Sequence, residues 1–439
     1  MKPNHSCQSV FLAGLTIALW LMTPTQTPAA PGDLDPVFAR SGLTRTDFSK
    51  TDEYGFAVKI QPDGKIVVGG QSGTYPVFHA ALVRYNANGK LDQTFGSGGR
   101  VTTALDAGGD GVAAIVLQTD GKIVTAGSII HDNSTLGFVV GRFNSNGSLD
   151  STFGSNGSVE TTFGDPAAEG NDVVLQTDGK IVVVGFTGAG SYSALNDFAL
   201  ARYNSDGTLD QSFGQGGKLT THFPGNTNTG SVANCAILQA DGKLIVAGTY
   251  VNEGTPNTFA LARYNPDGSL DSSFGNAGLV TTKIGAGAAL AFGIILQPDG
   301  RIVLSGYSAT TEDEDFTLAC YQTNGTLDST FGNGGVTTTN FSSGSSDIAY
   351  AIAVQRDGKI VTAGKTGDYP LEDFALTRYT STGQLDQTFG AGGIVTTDIS
   401  PIDLGYALTI QRDGRIVLAG AVIGRGGTFD VGVARYLGR

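Results

Sequence analysis

The residues that could do chemistry in this chain are carboxylates and tyrosines in otherwise Gly- and Ser-rich segments. The densest acidic group is four consecutive residues, Glu312, Asp313, Glu314 and Asp315. Carboxylate oxygens are ligands that Ca²⁺ prefers, so calcium is the metal that acidic loops could hold. The sequence predicts no other cofactor and assigns no metal ligands. Further carboxylates between repeated segments are Asp106, Asp110, Asp165 and Glu169.

Three tyrosines fall in segments that differ from one repeat to the next, namely Tyr192, Tyr250 and Tyr369. An aromatic ring with a polar hydroxyl can stack on a sugar or a peptide. Together with Glu312–Asp315 they are the predicted ligand-binding residues. The alternative is that all of them are solvated loop residues.

An Arg-Tyr pair recurs along the chain, followed by a recurring Leu-Asp. We predict a structural ion pair within each repeat, such as Arg202 with Asp210. A pair of this kind on the surface would contribute only ~0–1 kcal/mol. A ring of anion-binding arginines is the alternative, which the acidic net charge disfavours. Cys320 replaces the arginine in the fifth repeat, so we expect Asp328 to lack this partner.

No catalytic constellation is recognisable. The histidines His79, His131 and His222 lie far apart without metal-ligand spacing, and there is no Gly-x-Ser-x-Gly elbow. We therefore expect that the chain is not an enzyme. The alternative is a carbohydrate-active hydrolase or lyase whose carboxylates converge near a central channel.

The N-terminus reads as a leader for export. The uncharged apolar run from Val10 to Met22 is too short to span a bilayer and is followed by small residues up to Ala29. We predict a signal peptide at residues 1–29, no membrane span, and a secreted protein at the cell surface, outside the cell or in the periplasm. The net charge of −13 disfavours nucleic acid as a partner.

The candidate functional residues named above are positioned by a sequence repeat that occurs seven times. In the third copy, strands are predicted at 172–176, 180–185 and 197–203. The fourth is predicted at 208–213, with 218–221 extending it or pairing beside it. Every copy contains Gln-x-Asp-Gly, a strong hairpin signal. These motifs begin at Gln61, Gln118, Gln176, Gln239, Gln297, Gln355 and Gln411.

Four antiparallel strands per repeat predict an all-β fold, a seven-bladed β-propeller over residues 30–439. The chain stops after the third strand of the last repeat. Residues 34–38 and 43–48 match the missing fourth strand and its continuation. We therefore expect the N-terminal strand to complete the last blade and close the ring, which removes exposed sheet edges.

The segments Gln61–Gly70, Phe198–Asn204 and Leu91–Gly96 resemble the delta-60 repeat family of bacterial, usually exported, propeller-like proteins. The resemblance covers residues 34–439. It implies a bacterial surface or extracellular protein. The family supplies no functional residues to transfer.

One face of such a disc carries tight turns, and the other carries the second-to-third loops and the connections between blades. We call the latter the variable-loop face, and binding specificity is expected there. The predicted function is a secreted, monomeric, non-enzymatic binding, adhesion or scaffold module that engages a protein or glycan at the cell surface. A structural surface-layer component is a further alternative.

Overall fold

Within the residues that the structure describes, the chain forms 28 β-strands, numbered β1 to β28 in chain order, in seven antiparallel four-stranded sheets. The predicted seven-bladed β-propeller is confirmed. The computed structural model describes residues 29–75, 77–105, 109–131, 135–190, 193, 195–225, 228–310 and 313–439. Apart from Ala29, the predicted signal peptide lies outside these residues. No helix in the described part is long and apolar enough to cross a membrane.

Each blade contributes a first strand to the centre of the disc. The first strands are β2 (Asp52–Ile60), β6 (Asp110–Leu117), β10 (Ala167–Leu175), β14 (Thr229–Leu238), β18 (Ala289–Leu296), β22 (Ile348–Val354) and β26 (Asp403–Ile410). The second strands are β3 (Ile66–Thr74), β7 (Ile123–Ile130), β11 (Ile181–Gly188), β15 (Leu244–Asn252), β19 (Ile302–Ala309), β23 (Ile360–Thr366) and β27 (Ile416–Ile423).

The third and fourth strands lie progressively further out. The third strands are β4 (Val77–Tyr85), β8 (Leu136–Phe143), β12 (Asp197–Tyr203), β16 (Thr258–Tyr264), β20 (Glu314–Tyr321), β24 (Asp373–Tyr379) and β28 (Phe429–Tyr436). The fourth strands are β5 (Arg100–Thr103), β9 (Ser158–Thr161), β13 (Lys218–Thr221), β17 (Leu279–Thr282), β21 (Val336–Thr339), β25 (Ile394–Thr397) and β1 (Leu43–Thr46).

The ring is closed through both its inner strands and its outer edge. Each first strand contacts the first strand of the next blade, and β26 contacts β2. The N-terminal strand β1 pairs antiparallel with β28, with Leu43 opposite Ala434 and Thr46 opposite Val431. The hydrophobic core lies between neighbouring blades; for example, Val183 shares one buried cluster with Val140 of the preceding blade.

Every first strand contains a β-bulge where the ladder to the second strand skips at least one residue. In the third blade the skipped residue is Asn171. A bulge brings the two backbones close, and a Cβ at Gly185 would collide with the carbonyl oxygen of Glu169. The glycine in each second strand is therefore required by the bulge.

The fourth strand differs from its predicted position. In the third blade it is β13 (Lys218–Thr221), whereas residues 208–213 form a turn with a single bridge between Leu209 and Tyr203. The reason is Asp210, whose carboxylate accepts the backbone N–H of Ser212 at 3.1 Å and turns the chain. The prediction of a strand at 208–213 was wrong.

The recurring arginine joins consecutive blades. Arg202 donates from Nε to Asp210 at 2.7 Å and from Nη1 to the carbonyl of Pro266 in the next blade, and it lies over the ring of Phe213. Although burial raises the pKa of Asp210, bonds from Ser212 and Lys180 and the nearby charge of Arg202 lower it below its usual range. These pairs are buried, so the energy of a surface pair does not apply to them. The other arginines with this arrangement are Arg84, Arg142, Arg263, Arg378 and Arg435.

The fifth blade replaces this arginine by a different route. Cys320 is buried and free. We expected Asp328 to lack a cationic partner for this reason, and that expectation was wrong. Arg301 of the second strand reaches Asp328 at 3.1 Å and the carbonyl of Ser381 in the next blade at 3.2 Å. Five other blades have lysine at the Arg301 position. Arginine in place of lysine at position 301 therefore compensates for cysteine in place of arginine at position 320.

Candidate functional site

The first strands surround a central channel with a cavity volume of about 1190 Å³. Because side chains alternate along a strand, only some positions of each first strand can face the channel. The bulge residue is one of them. The seven bulge residues along the channel wall are Phe56, Ala113, Asn171, Asn234, Phe292, Tyr350 and Tyr406.

Four consecutive blades place an aromatic ring at this position, and we call Phe292, Tyr350, Tyr406 and Phe56 the aromatic arc. Neighbouring ring centroids are 5.2 Å, 5.3 Å and 5.0 Å apart in that order. All four side chains are half-buried. Tyr54 stacks on Phe56 with centroids 5.7 Å apart and extends the arc towards the variable-loop face.

Sequence reasoning missed the aromatic arc, although a signal for it exists. Each bulge residue stands five positions before the glutamine of Gln-x-Asp-Gly, as Tyr406 does before Gln411. Aligned this way, the repeat shows one column that varies between aromatic, amide and alanine residues in an otherwise regular strand. Such a column indicates a position that is not needed by the blade itself.

The opposite side of the channel is polar. The amide of Asn171 donates to the carbonyl of Ala233 at 2.9 Å, and that of Asn234 donates to Ala291 at 2.8 Å. Each amide therefore ties its first strand to the next blade. The side-chain oxygens remain on the wall as acceptors.

Lys59 and Asp172 are the charged residues of the first strands that line the channel wall. Asp172 accepts the backbone N–H of Val173 at 2.8 Å and of Ala236 at 2.9 Å. Burial raises the pKa of Asp172, and the charge of Lys59 opposes that rise. Neither residue recurs at its position in other blades, so both distinguish this channel wall from the repeat.

A second cavity of about 340 Å³ opens at the variable-loop end of the same channel, over the first three blades. We call it the mouth pocket. It shares Phe56 and Asn171 with the channel and adds Phe78, Gln71 and Glu169. Aromatic surface with a few convergent polar groups is typical of ligand sites.

The acidic residues predicted as a site lie away from this channel. Glu312 lies outside the described residues. Asp313 accepts from Asn340 at 2.9 Å, and Glu314 accepts from the hydroxyl of Ser346. Asp315 lies beside them, and burial raises its pKa. They stand beside the connection between the fifth and sixth blades, and none lines the channel or the mouth pocket.

The predicted tyrosines are not brought together in the described part of the chain. Tyr192 lies outside it. Tyr250 is half-buried, with its ring 6.1 Å from that of Phe223 and its hydroxyl donating to Pro224 at 3.5 Å. Tyr369 is 78% exposed on the second-to-third loop of the sixth blade. Their role in binding stays a prediction.

Two sets of three carboxylates have oxygens within 4.8 Å of one another and are the arrangements in the described residues that could hold a cation. One set is Asp373, Asp398 and Asp403. Burial raises the pKa of Asp403 from 3.8 to about 6. The other set, at the matching place one blade further on, is Asp47, Glu53 and Asp430. There Arg45 forms an ion pair with Asp430 at 3.1 Å.

A protein-family model described as "Domain of unknown function (DUF5122) beta-propeller" matches the chain at residues 61–95, 118–153, 176–213, 239–274, 297–331 and 355–389. Each match runs from a first-to-second turn to the end of Leu-Asp-x-x-Phe. The repeat that is divided between the two chain ends is not among them. No curated protein matches the sequence.

Solved structures with a similar fold include three lyases. A catalytically inactive virginiamycin B lyase from Staphylococcus aureus with quinupristin has 15% identity, 90% and 99% coverage of this and that chain, and a TM-score of 0.51. The polysaccharide lyase Uly1 has 12% identity, with 88% of this chain and 90% of that chain covered and a TM-score of 0.50. A PL25 ulvan lyase bound to -[GlcA(1-4)Rha3S]- has 12% identity, with 90% of this chain and 96% of that chain covered and a TM-score of 0.50. At these identities the likeness shows the fold alone.

We expected that the chain is not an enzyme, and this exclusion of catalytic activity was wrong. It depended on the absence of a recognisable catalytic motif, yet proteins named as lyases share this propeller fold. The fold is therefore compatible with catalysis as well as with binding.

Proposed function

Since the chain belongs to a family of β-propeller repeat proteins, we propose that it binds an oligosaccharide at the variable-loop mouth of its channel. The aromatic arc is the observation that supports this proposal. Rings on four consecutive blades give a curved apolar wall, and the mouth pocket continues that wall into a cavity with amide and carboxylate groups.

The chemistry of a sugar suits both surfaces. A pyranose ring presents C–H groups on its faces, which pack on the electron-rich face of an aromatic ring. Its equatorial hydroxyl groups both donate and accept hydrogen bonds, and the amides of Gln71 and Asn171 and the carboxylate of Glu169 can satisfy them. Tyr406 lies centrally in the arc and is the ring on which we expect a sugar to stack.

The charge of the site selects among sugars. Glu169 places negative charge at the mouth pocket, where none of the described lining residues is basic, and the whole chain carries a net charge of −13. Like charges in a partly buried site repel, so uronic-acid and sulfated sugars are disfavoured. The expected ligand is a neutral oligosaccharide.

Isothermal titration calorimetry with cellohexaose, hexa-N-acetylchitohexaose and hexagalacturonate tests this proposal. One of the two neutral hexasaccharides should bind, and hexagalacturonate should bind about tenfold more weakly or not at all. Tyr406→Ala should weaken binding about tenfold because the stacking surface is lost, whereas Tyr406→Phe should retain it.

The matched control is Tyr75→Ala, which removes a tyrosine that is 83% exposed on the first blade and lines neither cavity. Binding by this variant should equal that of the unaltered protein. Equal losses in Tyr406→Ala and Tyr75→Ala, or preferred binding of hexagalacturonate, would refute the proposal.

Export by a leader at residues 1–29, and with it action at the cell surface, is part of the proposal. The similarity of the repeats to the delta-60 family and the apolar N-terminal run support it. Expression of the full chain in a bacterium, followed by N-terminal sequencing of the exported protein, would test it. Cleavage after Ala29 is expected, and retention of an uncleaved chain in the cytoplasm would contradict it.

A further inference from the structure

A cavity of about 430 Å³ lies where the two ends of the chain meet, away from the channel. We call it the closure groove. On one side it is lined by Val37, Ala39 and Arg40, which precede β1, and on the other by Lys90 and Leu91, which follow the third-to-fourth turn of the first blade. It combines apolar surface with three cations, Arg40, Arg45 and Lys90, in an acidic protein.

Val37, Arg40 and Lys90 are among the lining residues that differ from those at the same places in the other blades. Val37 stands where the other blades have Ser or Thr, and it is 65% exposed. In the third blade the matching Ser212 donates to Asp210 at 2.7 Å. Arg40 and Lys90 are likewise the only basic residues in their columns. The repeat itself needs none of these three side chains, and all of them line the same groove.

Arg45 pairs with Asp430 at 3.1 Å, whereas the other two cations are not used in the fold. Arg40 and Lys90 are exposed, and neither forms an ion pair with a carboxylate among the described residues. The backbone at Ala39 and Arg40 is left-handed, with φ of +49° and +73°. Other blades have glycine at the Ala39 position, as at Gly96. A non-glycine residue in this conformation is strained, and such strain is frequent at functional sites.

The opposite chemistry is found on the second-to-third loop of the sixth blade. Tyr369 and Leu371 are 78% and 72% exposed there, and the exposed carboxylate of Asp368 lies beside them. The remaining carboxylate of this loop, Glu372, is buried against Lys365 at 2.6 Å. The Oδ1 atom of Asp368 accepts the backbone N–H of Ser346 at 3.1 Å, so the loop offers two apolar side chains and one exposed carboxylate.

The geometry points to the Asp368–Leu371 loop of a second copy of this chain as the occupant of the closure groove. Apolar side chains would meet Val37 and Leu91, and the carboxylate would meet Arg40 and Lys90. The loop projects from the variable-loop face, whereas the groove borders the tight-turn face, so one molecule cannot satisfy both halves by itself. The contact is heterologous, and repetition would give a ring or an open chain.

This contact is small, which sets the strength that we expect. Interfaces of this size belong to the weak class, and two exposed ion pairs are screened by salt. The protein should therefore be monomeric, as predicted from the sequence, in dilute or high-salt solution. At high protein concentration and low salt the molecules should associate.

Sedimentation velocity of the purified protein over a concentration series up to about 1 mM, at low and high salt, tests the contact. Lys90→Glu alone and Asp368→Lys alone should each weaken association about tenfold, because each creates a like-charge contact. The double variant Lys90→Glu/Asp368→Lys restores an opposite pair and should associate like the unaltered protein.

Controls are available for both kinds of change. Lys283→Glu alters an exposed lysine outside the groove, and Tyr75→Ala alters an exposed tyrosine on another blade. Neither should change association, whereas Tyr369→Ala should weaken it. A protein that stays monomeric at about 1 mM in low salt would overturn the proposal. Association that ignores Lys90→Glu or is not restored in the double variant would overturn it as well.

Discussion

The Nε atom of Arg435 donates to the Oδ2 atom of Asp35 at 2.9 Å, across 400 positions of the chain. The same kind of pair joins residues only 8 positions apart in ordinary blades, as in Arg202 and Asp210. The two chain ends thus rebuild, from separate segments, the ion pair that each ordinary blade makes locally. Closure of the disc depends on this contact and on the pairing of β1 with β28.

Arg435→Met should destabilise the whole propeller. The variant leaves the carboxylate of Asp35, which is 2% exposed, with Arg415 as its remaining cationic partner. Loss of one member of a buried pair leaves an incompletely compensated charge, and a cost of about 2–4 kcal/mol is expected. Urea unfolding followed by circular dichroism measures this free energy.

Arg415→Met is the matched control, because Arg415 contacts the same carboxylate but has a side chain 35% exposed. Its cost should stay near 1 kcal/mol or below. Equal costs for the two variants would show that the buried pair does not hold the chain ends together.

Arg301→Met should be costly for a related reason. It leaves Asp328, whose side chain is 3% exposed, without either cation, since Cys320 occupies the usual arginine position. We expect a loss of about 2–4 kcal/mol in the free energy of unfolding. In Lys243→Met the partner Asp271 keeps Arg263 at 2.7 Å, so about 1 kcal/mol or less is expected.

A rescue variant separates this account from simple loss of packing. Cys320→Arg added to Arg301→Lys restores the residues that most other blades have at these two positions. Its stability should match or exceed that of the unaltered protein. A further loss would mean that the fifth blade has no room for the usual pair.

Asp403 should make the fold more stable as the pH falls from about 7 towards 4. Burial raises its pKa from 3.8 to about 6 in the folded chain, so the folded state binds the proton more tightly than the unfolded state. Protonation through this window therefore favours folding, by about 1–3 kcal/mol. The gain levels off below the unfolded pKa.

Comparison with Asp403→Asn isolates this effect, because asparagine cannot titrate and the other raised carboxyls are common to both proteins. The difference in unfolding free energy between the two proteins should shift in favour of the unaltered chain between pH 7.5 and pH 4.5, values near which carboxyls with raised pKa titrate. Parallel stability curves over this range would contradict the assignment.

Glu169→Gln should relax the charge selectivity of the mouth pocket. Removal of one negative charge from the pocket lining weakens repulsion of anionic sugars, so hexagalacturonate should bind about fivefold better at low salt. Binding of a neutral hexasaccharide should change less. Calorimetry at low and high salt measures both, and an unchanged ratio of the two affinities would show that Glu169 does not set selectivity.

The repeat made the fold predictable in detail, because each blade is specified by local signals. Gln176-x-Asp-Gly gives the first turn, and the glycine of the second strand admits the bulge, as Gly185 does. The position of the fourth strand was not predictable in the same way. Its Leu-Asp-x-x-Phe segment looks extended in sequence, but the side chain of Asp210 bonds to the backbone and turns it.

The site was less predictable because it depends on which side chains vary between blades and on where those positions face. Glu314 was predicted as a site residue because it lies in an acidic run, and Tyr369 because it lies in a variable segment. Neither lines the channel. Tyr350 and Tyr406 were overlooked because a single aromatic residue in an apolar strand looks like core. Only the ring of blades places them next to each other, 5.3 Å apart.

A reporter placed on the aromatic arc tests most directly whether sugars stack there. Tyr406→Trp and, as control, Tyr75→Trp would be titrated with each neutral hexasaccharide while tryptophan emission is recorded. A saturable blue shift in Tyr406→Trp alone is the predicted result, because the sugar would displace water from that ring. No shift with either sugar, or the same shift in both variants, would contradict the claim.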